Sequence, residues 1–488
     1  MILSRLFSDA GLEYPEKYAN IEISRIVTDS RQACDKCMFI CMVGHNTDGH
    51  KYIKEAINKG AVVIVAEQVR DECVGGAAII KVDNTRRAAA LLYNTQCGIK
   101  NKGLRIVGVT GTNGKTSVCY MLESIFLAAG VRCAVIGTVG CRMDGRDIPG
   151  YGGGLTTPDA HELYPLLAYI AERGVTHVFM EVSSHALANH RVDGLEFEWG
   201  VFTNLTRDHL DFHSDMEDYF LAKSRLFSMC RGGIVNIDGA YGKRLSDMYP
   251  DLVTCSEGGG GDFCALDAKS TPNGSEYKLV YRGGECHISL GALGDFSVMN
   301  SLQAAAVALS MGIDASAVIG GLSRFCGAPG RMERVVRGEL YEVIIDYAHT
   351  PDALERLIKS ARPLRGEGGR IMLVFGCGGD RDRGKRREMA VIASRLADFL
   401  IITSDNPRSE DPDTIITHIL KGIDKEKPHT VIPSRKEAIE YAVSIAGEGD
   451  VILLAGKGHE KYEILADGKH FFDEKQIVKD AVERKNKV

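Results

Sequence analysis

Short apolar runs alternate with stretches of helical periodicity along almost the whole chain. The runs include Ala61–Ala66, Leu104–Val109, Val175–Val182, Glu342–Tyr347, Arg370–Phe375, Asp398–Thr403 and Asp450–Ala455. Between them, apolar side chains recur every three or four residues. Arg86–Gln96 is one such stretch; Val118, Leu122, Ile125, Phe126 and Ala129 form another, with Gly130 as its stop. Alternation of this kind predicts an α/β protein on mostly parallel sheets. Each strand in the last third precedes a loop rich in Gly, Asp, Asn or Pro, then a helix. That is a doubly wound arrangement, with ligands expected at the carboxyl ends of the strands. The polar stretch CGIKNKG at 97–103 reads as a linker, and a second break falls near Arg331–Glu333. The expected domains are therefore 1–98, 99–332 and 333–488.

Composition narrows the class. With 488 residues, 44% hydrophobic and 25% charged, the chain is neither disordered nor fibrous. A net charge of −6 argues against a general nucleic-acid or anionic-membrane binder. No apolar run approaches the ~18 residues of a membrane span. The N-terminus lacks the apolar core of a secretory signal. Fourteen cysteines are scattered without a disulfide framework. Together these features predict a cytoplasmic protein. Cys34 and Cys37, with Cys41 nearby, lack the second pair of a zinc site and read as packing.

The sharpest chemical signal follows Leu104–Val109. The loop Gly111-Thr112-Asn113-Gly114-Lys115-Thr116-Ser117 opens a helix. Backbone N–H groups and a helix N-terminus attract phosphate oxygens. Lys115 should reach the β- and γ-phosphates of a nucleotide, and the Thr116 hydroxyl should hold Mg²⁺. The position five before Gly114 is Val109, so the spacing departs from the strict motif. Glu181 ends a strand, where a Mg²⁺ ligand belongs. Asn204, Asp208, His209, Asp211 and His213 crowd one loop, and His209 is a candidate metal or catalytic group. Lys223 shares the apolar stripe of the helical segment Met216–Phe227 with Tyr219, Phe220, Leu226 and Phe227. A lysine on such a stripe either snorkels at the helix edge or points into a site.

Further signals lie beyond residue 330. Arg331 sits at the domain junction, where a guanidinium can reach phosphates. Asp346 and His349 follow one strand, and Asp380 and Arg381 another. Asp405-Asn406-Pro407-Arg408 and Gly456-Lys-Gly-His-Glu460 follow two more. An arginine fork matches a carboxylate, and a glutamate accepts from an ammonium. The pair suits a zwitterionic amino acid.

In order, GTNGKT, MEVSSHAL, FTNLTRDHLDFH, GRME, DYAHTPDAL, DNPR and GKGHE closely resemble the motifs of the Mur ligases of peptidoglycan synthesis. Asp29-Ser-Arg31 and the segment 44–49 match as well, so the resemblance spans essentially the whole chain. It implies a UDP-substrate-binding α/β domain, a central phosphate-loop ATP-binding domain and a C-terminal Rossmann-like amino-acid-binding domain. Among these ligases the chain is similar to the members that add meso-2,6-diaminopimelate to UDP-N-acetylmuramoyl-L-alanyl-D-glutamate. There ATP converts a carboxylate to an acyl phosphate, the incoming amine displaces phosphate, and ADP is the other product. The resemblance implies that Lys115, Glu181, His209, Lys223 and Arg331 are catalytic. It assigns Asn300, Arg331, Asp346 and His349, with the phosphate loop, to ATP. It places Thr116, Glu181, His209 and Lys223 on Mg²⁺, the lysine as a CO₂-derived carbamate. The UDP substrate falls to Ser30, His45, Asn46, Thr47, Thr156, Thr157, Ser183, Asn189 and Arg191. The amino acid falls to Arg381, Asp405, Asn406, Pro407, Arg408, Gly456 and Glu460. A cytoplasmic monomer acting on small molecules is expected, with neither nucleic acid nor membrane as partner. A lysine-adding relative would more readily lack Arg408. A folylpolyglutamate-type ligase would not need the signatures of 1–98. A non-catalytic nucleotide-binding regulator would not need Glu181, His209 and Lys223.

Overall fold

A computed structural model describes all residues except 45–46, 69–75, 152–153, 211, 272, 338–339 and 487–488. His45, Asn46 and Asp211 therefore lie outside the described residues. The chain forms two compact units. The first comprises Met1–Thr110, Val131–Gly200 and Leu221–Gly233; the second comprises Gly111–Gly130, Val201–Phe220 and Ile234–Val488.

In the first unit, strands β1 (Ile26–Val27), β2 (Met38–Ile40), β3 (Val63–Ala66) and β4 (Ala78–Lys81) form a parallel sheet in sequential order. Every residue of β2 and β3 is buried. Cys37 and Cys41 join Phe39, Ile53 and Ile64 in that core, which is the packing role read from the sequence. Strand β5 (Arg105–Thr110) begins a second sheet with β6 (Cys133–Gly137), β7 (Gly140–Met143), β8 (Arg146–Asp147) and β9 (His177–Glu181). β9 lies between β5 and β6, parallel to both, while β7 and β8 add antiparallel edges. β5 leads directly into the phosphate loop, and β9 delivers Glu181 at its end. The expected strand Val175–Val182 is thus shortened at both ends.

Strands β10 (Phe197–Phe202) and β11 (Cys230–Asn236) begin in the first unit and finish in the second. In the second unit, β11 pairs with β12 (Val253–Ser256), and β12 with β13 (Phe263–Thr271), both parallel. β14 (Gly274–Tyr281) and β15 (Gly284–Leu290) then form an antiparallel meander with β13. The apolar-run reading did not resolve this meander, because its exposed positions break up the hydrophobic runs. The turn between β14 and β15 is Arg282-Gly283, closed by the pair Tyr281 and Gly284.

The last sheet is the one the sequence drew most clearly. Strands β16 (Glu333–Arg337), β17 (Tyr341–Asp346), β18 (Ile371–Phe375), β19 (Phe399–Ile402), β20 (His429–Val431) and β21 (Asp450–Ala455) take the order β16-β17-β21-β18-β19-β20. Only β16 runs antiparallel. Side chains alternate between its two faces. Ile344, Leu373, Ile402 and Leu453 pack on one side with Leu354, Leu357 and Met389. Val343, Val374, Ile401 and Leu454 pack on the other with Ile439, Val443 and Val478. Burial on both faces explains why these strands read as continuous apolar runs. The loops after β17, β18, β19 and β21 all leave the carboxyl edge.

Two of those loops are fastened by one arginine. Arg386 is fully buried and holds Glu410 through Nη1···Oε2 at 3.1 Å and Nη2···Oε1 at 2.9 Å. Its Nη2 also donates to Gly378 O, and Glu410 accepts from the Asp380 amide. The Arg386 guanidinium, with that amide, pulls the Glu410 carboxyl down to about 2. A depressed folded-state value means the pair is fully stabilising above the ordinary glutamate range. Its contribution is lost as pH falls towards 2. Glu410→Gln should therefore lower the melting temperature at neutral pH, and the gap from wild type should close on acidification. Thermal melts across that pH range check this; a gap independent of pH would contradict it.

Candidate active site

The phosphate loop is shaped by close approach. A Cβ at Gly111 would fall 1.9 Å from Thr203 Oγ1, and one at Gly114 would fall 2.4 Å from Asn300 Oδ1. Both glycines also have left-handed φ, +142° and +88°. Segment 203–206 clamps the loop from outside. Thr203 Oγ1 donates to Asn113 O at 2.5 Å, and the Asn113 amide donates to Asn204 Oδ1 at 3.0 Å. The Thr112 amide donates to Asn204 O, and Thr112 Oγ1 accepts from the Thr206 amide. The helix then starts at Lys115, whose Nζ donates to Gly111 O at 2.8 Å and Thr112 O at 2.9 Å. The lysine thus lies along the loop it serves.

Four other expected nucleotide residues belong to this same unit. Asn300 is buried against Gly114. Arg331 Nη2 donates to Thr116 Oγ1 at 3.4 Å, and its guanidinium lies over the Tyr347 ring at 4.7 Å. Asp346 accepts from the amides of Met332 and Ala348, both at 2.7 Å, while burial pushes its carboxyl up. His349 donates through Nδ1 to Tyr347 O at 2.8 Å, and burial lowers its pKa. Neutral, with Nδ1 occupied in this way, it presents Nε2 as an acceptor.

His209 has a left-handed φ of 55°, uncommon outside glycine, and its backbone N–H donates to Asp208 Oδ1 at 2.9 Å. Its ring meets Tyr219 edge-on. Burial raises the Asp208 carboxyl, but nearby cationic groups, His209 foremost, outweigh it and leave the net shift downward.

The amino-acid loops come close to this nucleotide side. A Cβ on Gly330 would fall 2.1 Å from His459 N, so the backbone before Arg331 lies against the GKGHE turn. Asp405 and Asn406 are buried, and Asn406 Nδ2 donates to Glu460 Oε2 at 2.9 Å. A Cβ at Gly456 would meet Asp405 Oδ2. Arg408, with φ 54°, donates from Nη1 to Gly379 O at 2.7 Å. Burial raises the Glu460 carboxyl. Pro407 holds the turn between Asn406 and Arg408, and its carbonyl accepts from the Glu410 amide. Arg381 is exposed, and Asp380 is spent on the Ser409 amide and hydroxyl.

The first unit gathers a second group. Glu181 is buried; Oε1 accepts from the Thr138 amide and Oε2 from Thr138 Oγ1, both at 2.9 Å. Thr156 Oγ1 lies 3.0 Å away and donates to Thr138 Oγ1, whose own proton goes to Glu181. Thr157 is buried, donates to Glu181 O, and accepts from the Ser183 amide. Arg191 donates to Thr157 O at 3.0 Å and pairs with Asp159 at 2.6 Å. Thr156, Thr157, Glu181, Ser183 and Arg191 therefore form one cluster. Asn189 Nδ2 is turned back to His185 O. Ser30 bonds to Glu55, and Thr47 is exposed. Lys223 is 1% exposed, confirming the inward stripe, although its α-helix ends at Ser224 and a 3₁₀ turn, Arg225–Met229, continues it.

Several supporting residues escaped the sequence reading. Asp352 accepts from Asn113 Nδ2, and it stood within the quoted DYAHTPDAL. Lys457 stood within GKGHE. Thr138, Arg386 and the buried pair Arg435–Glu474, 2.6 Å apart, carry no local pattern. Each matters through a partner 24 to 43 residues away in sequence. Among the described residues there is no cluster of three or more His, Cys, Asp or Glu side chains fit for a metal.

Three family profiles match consecutive stretches of the chain. They are the Mur ligase family catalytic domain over 22–96, the Mur ligase middle domain over 109–308 and the Mur ligase glutamate ligase domain over 330–458. UDP-N-acetylmuramoyl-L-alanyl-D-glutamate–2,6-diaminopimelate ligase 1 of Clostridium acetobutylicum is 40% identical over 99% of both chains. The ligase of the same substrates from Caldanaerobacter subterraneus subsp. tengcongensis is 42% identical over 96% of both. A solved structure of a UDP-N-acetylmuramoyl-L-alanyl-D-glutamate–2,6-diaminopimelate ligase aligns over 100% of each chain with a TM-score of 0.71 and 31% identity. Glycine loop, buried strand-end glutamate and DNPR turn thus sit in a chain that matches such ligases end to end, and the chain belongs to the Mur ligase family.

Proposed function

We propose that this protein joins meso-2,6-diaminopimelate to UDP-N-acetylmuramoyl-L-alanyl-D-glutamate at the expense of ATP, in the cytoplasm, as a monomer. One observation supports this above the rest. Within a single unit, the phosphate-loop side and the DNPR–GKGHE side adjoin at Gly330–Arg331, so a phosphate reader stands beside carboxylate and ammonium readers. An amide ligase needs that juxtaposition, because phosphoryl transfer to a carboxylate oxygen and amine attack on its carbon occur at one carboxyl group. The relatives are named as ligases of the UDP-muramoyl dipeptide and diaminopimelate.

The chemistry has two steps. The free carboxylate of the peptide attacks the γ-phosphorus of ATP, giving an acyl phosphate and ADP. The neutral amine of the amino acid then adds to the acyl carbon, and collapse expels inorganic phosphate and leaves an amide. A carboxylate is a poor electrophile, so phosphorylation supplies the leaving group. The protein contributes position and charge neutralisation. Lys115 and the loop amides steady the phosphates, with Arg331, Asn300, Asp346 and His349 around the nucleotide. Thr156, Thr157, Ser183, Asn189 and Arg191, with Ser30, His45, Asn46 and Thr47, serve the UDP substrate. Arg381, Asp405–Arg408, Gly456 and Glu460 serve the amino acid. The working modules in this reading are 1–98, 99–332 and 333–488.

The residues that would hold magnesium are Thr116, Glu181, His209 and Lys223 as a carbamate. Glu181 is a hard oxygen donor whose orientation Thr138 fixes. A carbamate would supply a second, and a buried side chain of that kind suits a cation better than a bare ammonium does. When bound, the metal supplies positive charge to the phosphate oxygens.

Three measurements test the reading. A phosphate-release assay with the muramoyl dipeptide and a panel of amino acids should favour diaminopimelate; preference for L-lysine would move the specificity. Lys223→Ala should lower turnover about 100-fold or more, with partial recovery in added short carboxylic acids. Near-wild-type turnover would remove the carbamate. Arg408→Ala should raise KM for diaminopimelate roughly 10- to 100-fold, the loss of a charged hydrogen bond, and leave KM for ATP nearly unchanged. Equal effects on both would place the specificity pocket elsewhere.

A further inference from the structure

We propose that Lys457 positions the amino-acid pocket by locking the Asn406 carboxamide, so that its NH₂ group holds Glu460 for the incoming ammonium. The proposal deepens the reading above and rests on its assignment of Asn406 and Glu460 to the amino acid.

Lys457 is fully buried at the carboxyl end of β21. Its Nζ donates to Asn406 Oδ1 at 3.0 Å and to Tyr462 O at 3.0 Å, and lies 3.4 Å from Asp405 Oδ1. Two of the three ammonium protons are spent on those hydrogen bonds, and the third has the Asp405 carboxylate within ion-pair distance. Buried and engaged in this way, the lysine acts through what it holds.

What it holds has two possible orientations. Asn406 Oδ1 accepts a second bond, from the Ile464 amide at 2.9 Å. Turned over, the carboxamide would set its NH₂ against two other donors, which no arrangement of protons repairs. Its NH₂ therefore faces Glu460 Oε2 at 2.9 Å. The strand segment Tyr462–Leu465 completes the frame, since Ile464 O accepts from the Arg408 amide at 3.0 Å. Lysine, asparagine and that segment thus fix both the Arg408 backbone and the Glu460 carboxylate.

The groups facing Glu460 are Asn406, Asp405, Lys457, Arg408, Arg435, Tyr462 and Tyr347. Burial raises its carboxyl, and the Asn406 N–H is the foremost group opposing that rise. An ammonium binds the ionised form. The kcat/KM for the amino acid should therefore fall as pH drops through the Glu460 value. Loss of the Asn406 donor should move that acid limb to higher pH.

The test uses the full-length enzyme, saturating ATP and nucleotide substrate, and whichever amino acid the wild type ligates. Lys457→Met removes the donor at similar length. It should raise KM for the amino acid about tenfold or more, change KM for ATP less than about twofold, and shift the acid limb upward. Lys457→Gln keeps one donor and should fall between Met and wild type. A wild-type KM in Lys457→Met would overturn the proposal. So would parallel rises for amino acid and ATP with the limb unmoved. Lys457→Met leaves Asp405 less neutralised in the interior and can fail to fold. Asn406→Asp then decides, because it keeps the acceptor for Lys457 and puts an oxygen opposite Glu460. Its acid limb should move upward, and an unmoved limb overturns the proposal. A wild type that ligates some other amino acid would sink the diaminopimelate reading alone, while the comparison between variants still judges Lys457.

Discussion

The phosphate loop keeps its shape because two of its positions carry no side chain. Thr203 Oγ1 and Asn300 Oδ1 occupy the volumes that a Cβ at Gly111 or Gly114 would need. The backbone can therefore lie against those polar groups, and the loop is clamped by Thr203, Asn204 and Thr206. Everything that depends on phosphate position inherits this constraint. The helix from Lys115 starts where the loop releases it, and Arg331 reaches Thr116 at that same point. A side chain at either glycine would force apart segments separated by roughly ninety or more residues of chain.

Buried charge does the equivalent work around the amino-acid loops. Arg386 with Glu410, Arg435 with Glu474, and Lys457 with Asp405 are three ion pairs with little or no exposure of the cation. Isolated charges in such positions are costly, and each cation makes a further hydrogen bond beyond its pair. Arg386 ties the loop after β18 to the loop after β19. Arg435 bonds the last carbonyl of β21. Lys457 joins β21 to Asn406. The turns at the sheet's carboxyl edge are consequently held from beneath, and their outward groups keep a fixed geometry. Preorganisation of that kind limits what must be ordered when a small zwitterion binds.

The sequence showed the C-terminal sheet better than the central one, and for a physical reason. Ile371–Phe375 and Asp450–Ala455 are buried on both faces, so each reads as an unbroken apolar run. Gly274–Tyr281 is only half buried, and its alternation hides among polar residues. The phosphate loop was legible because its chemistry is local: glycines, lysine and threonine act within six residues. Glu181 was legible as an acid closing an apolar strand. Its partner Thr138 was not, because their proximity comes from the pairing of neighbouring strands and not from any spacing in the chain.

Local pattern, then, determined the α/β class, the strands of the doubly wound sheet, the nucleotide loop and the inward face on which Lys223 lies. Those features follow from periodicities of two and of 3.6 and from residue types that act on near neighbours. Tertiary structure alone decided which way the Asn406 amide turns, which arginine pins the DNPR turn, and that Asp380 is spent on Ser409 of the neighbouring loop. Each of these depends on a donor meeting an acceptor across a fold, 24 to 58 residues apart along the chain, and a hydrogen bond at that separation leaves no trace in the spacing of residues.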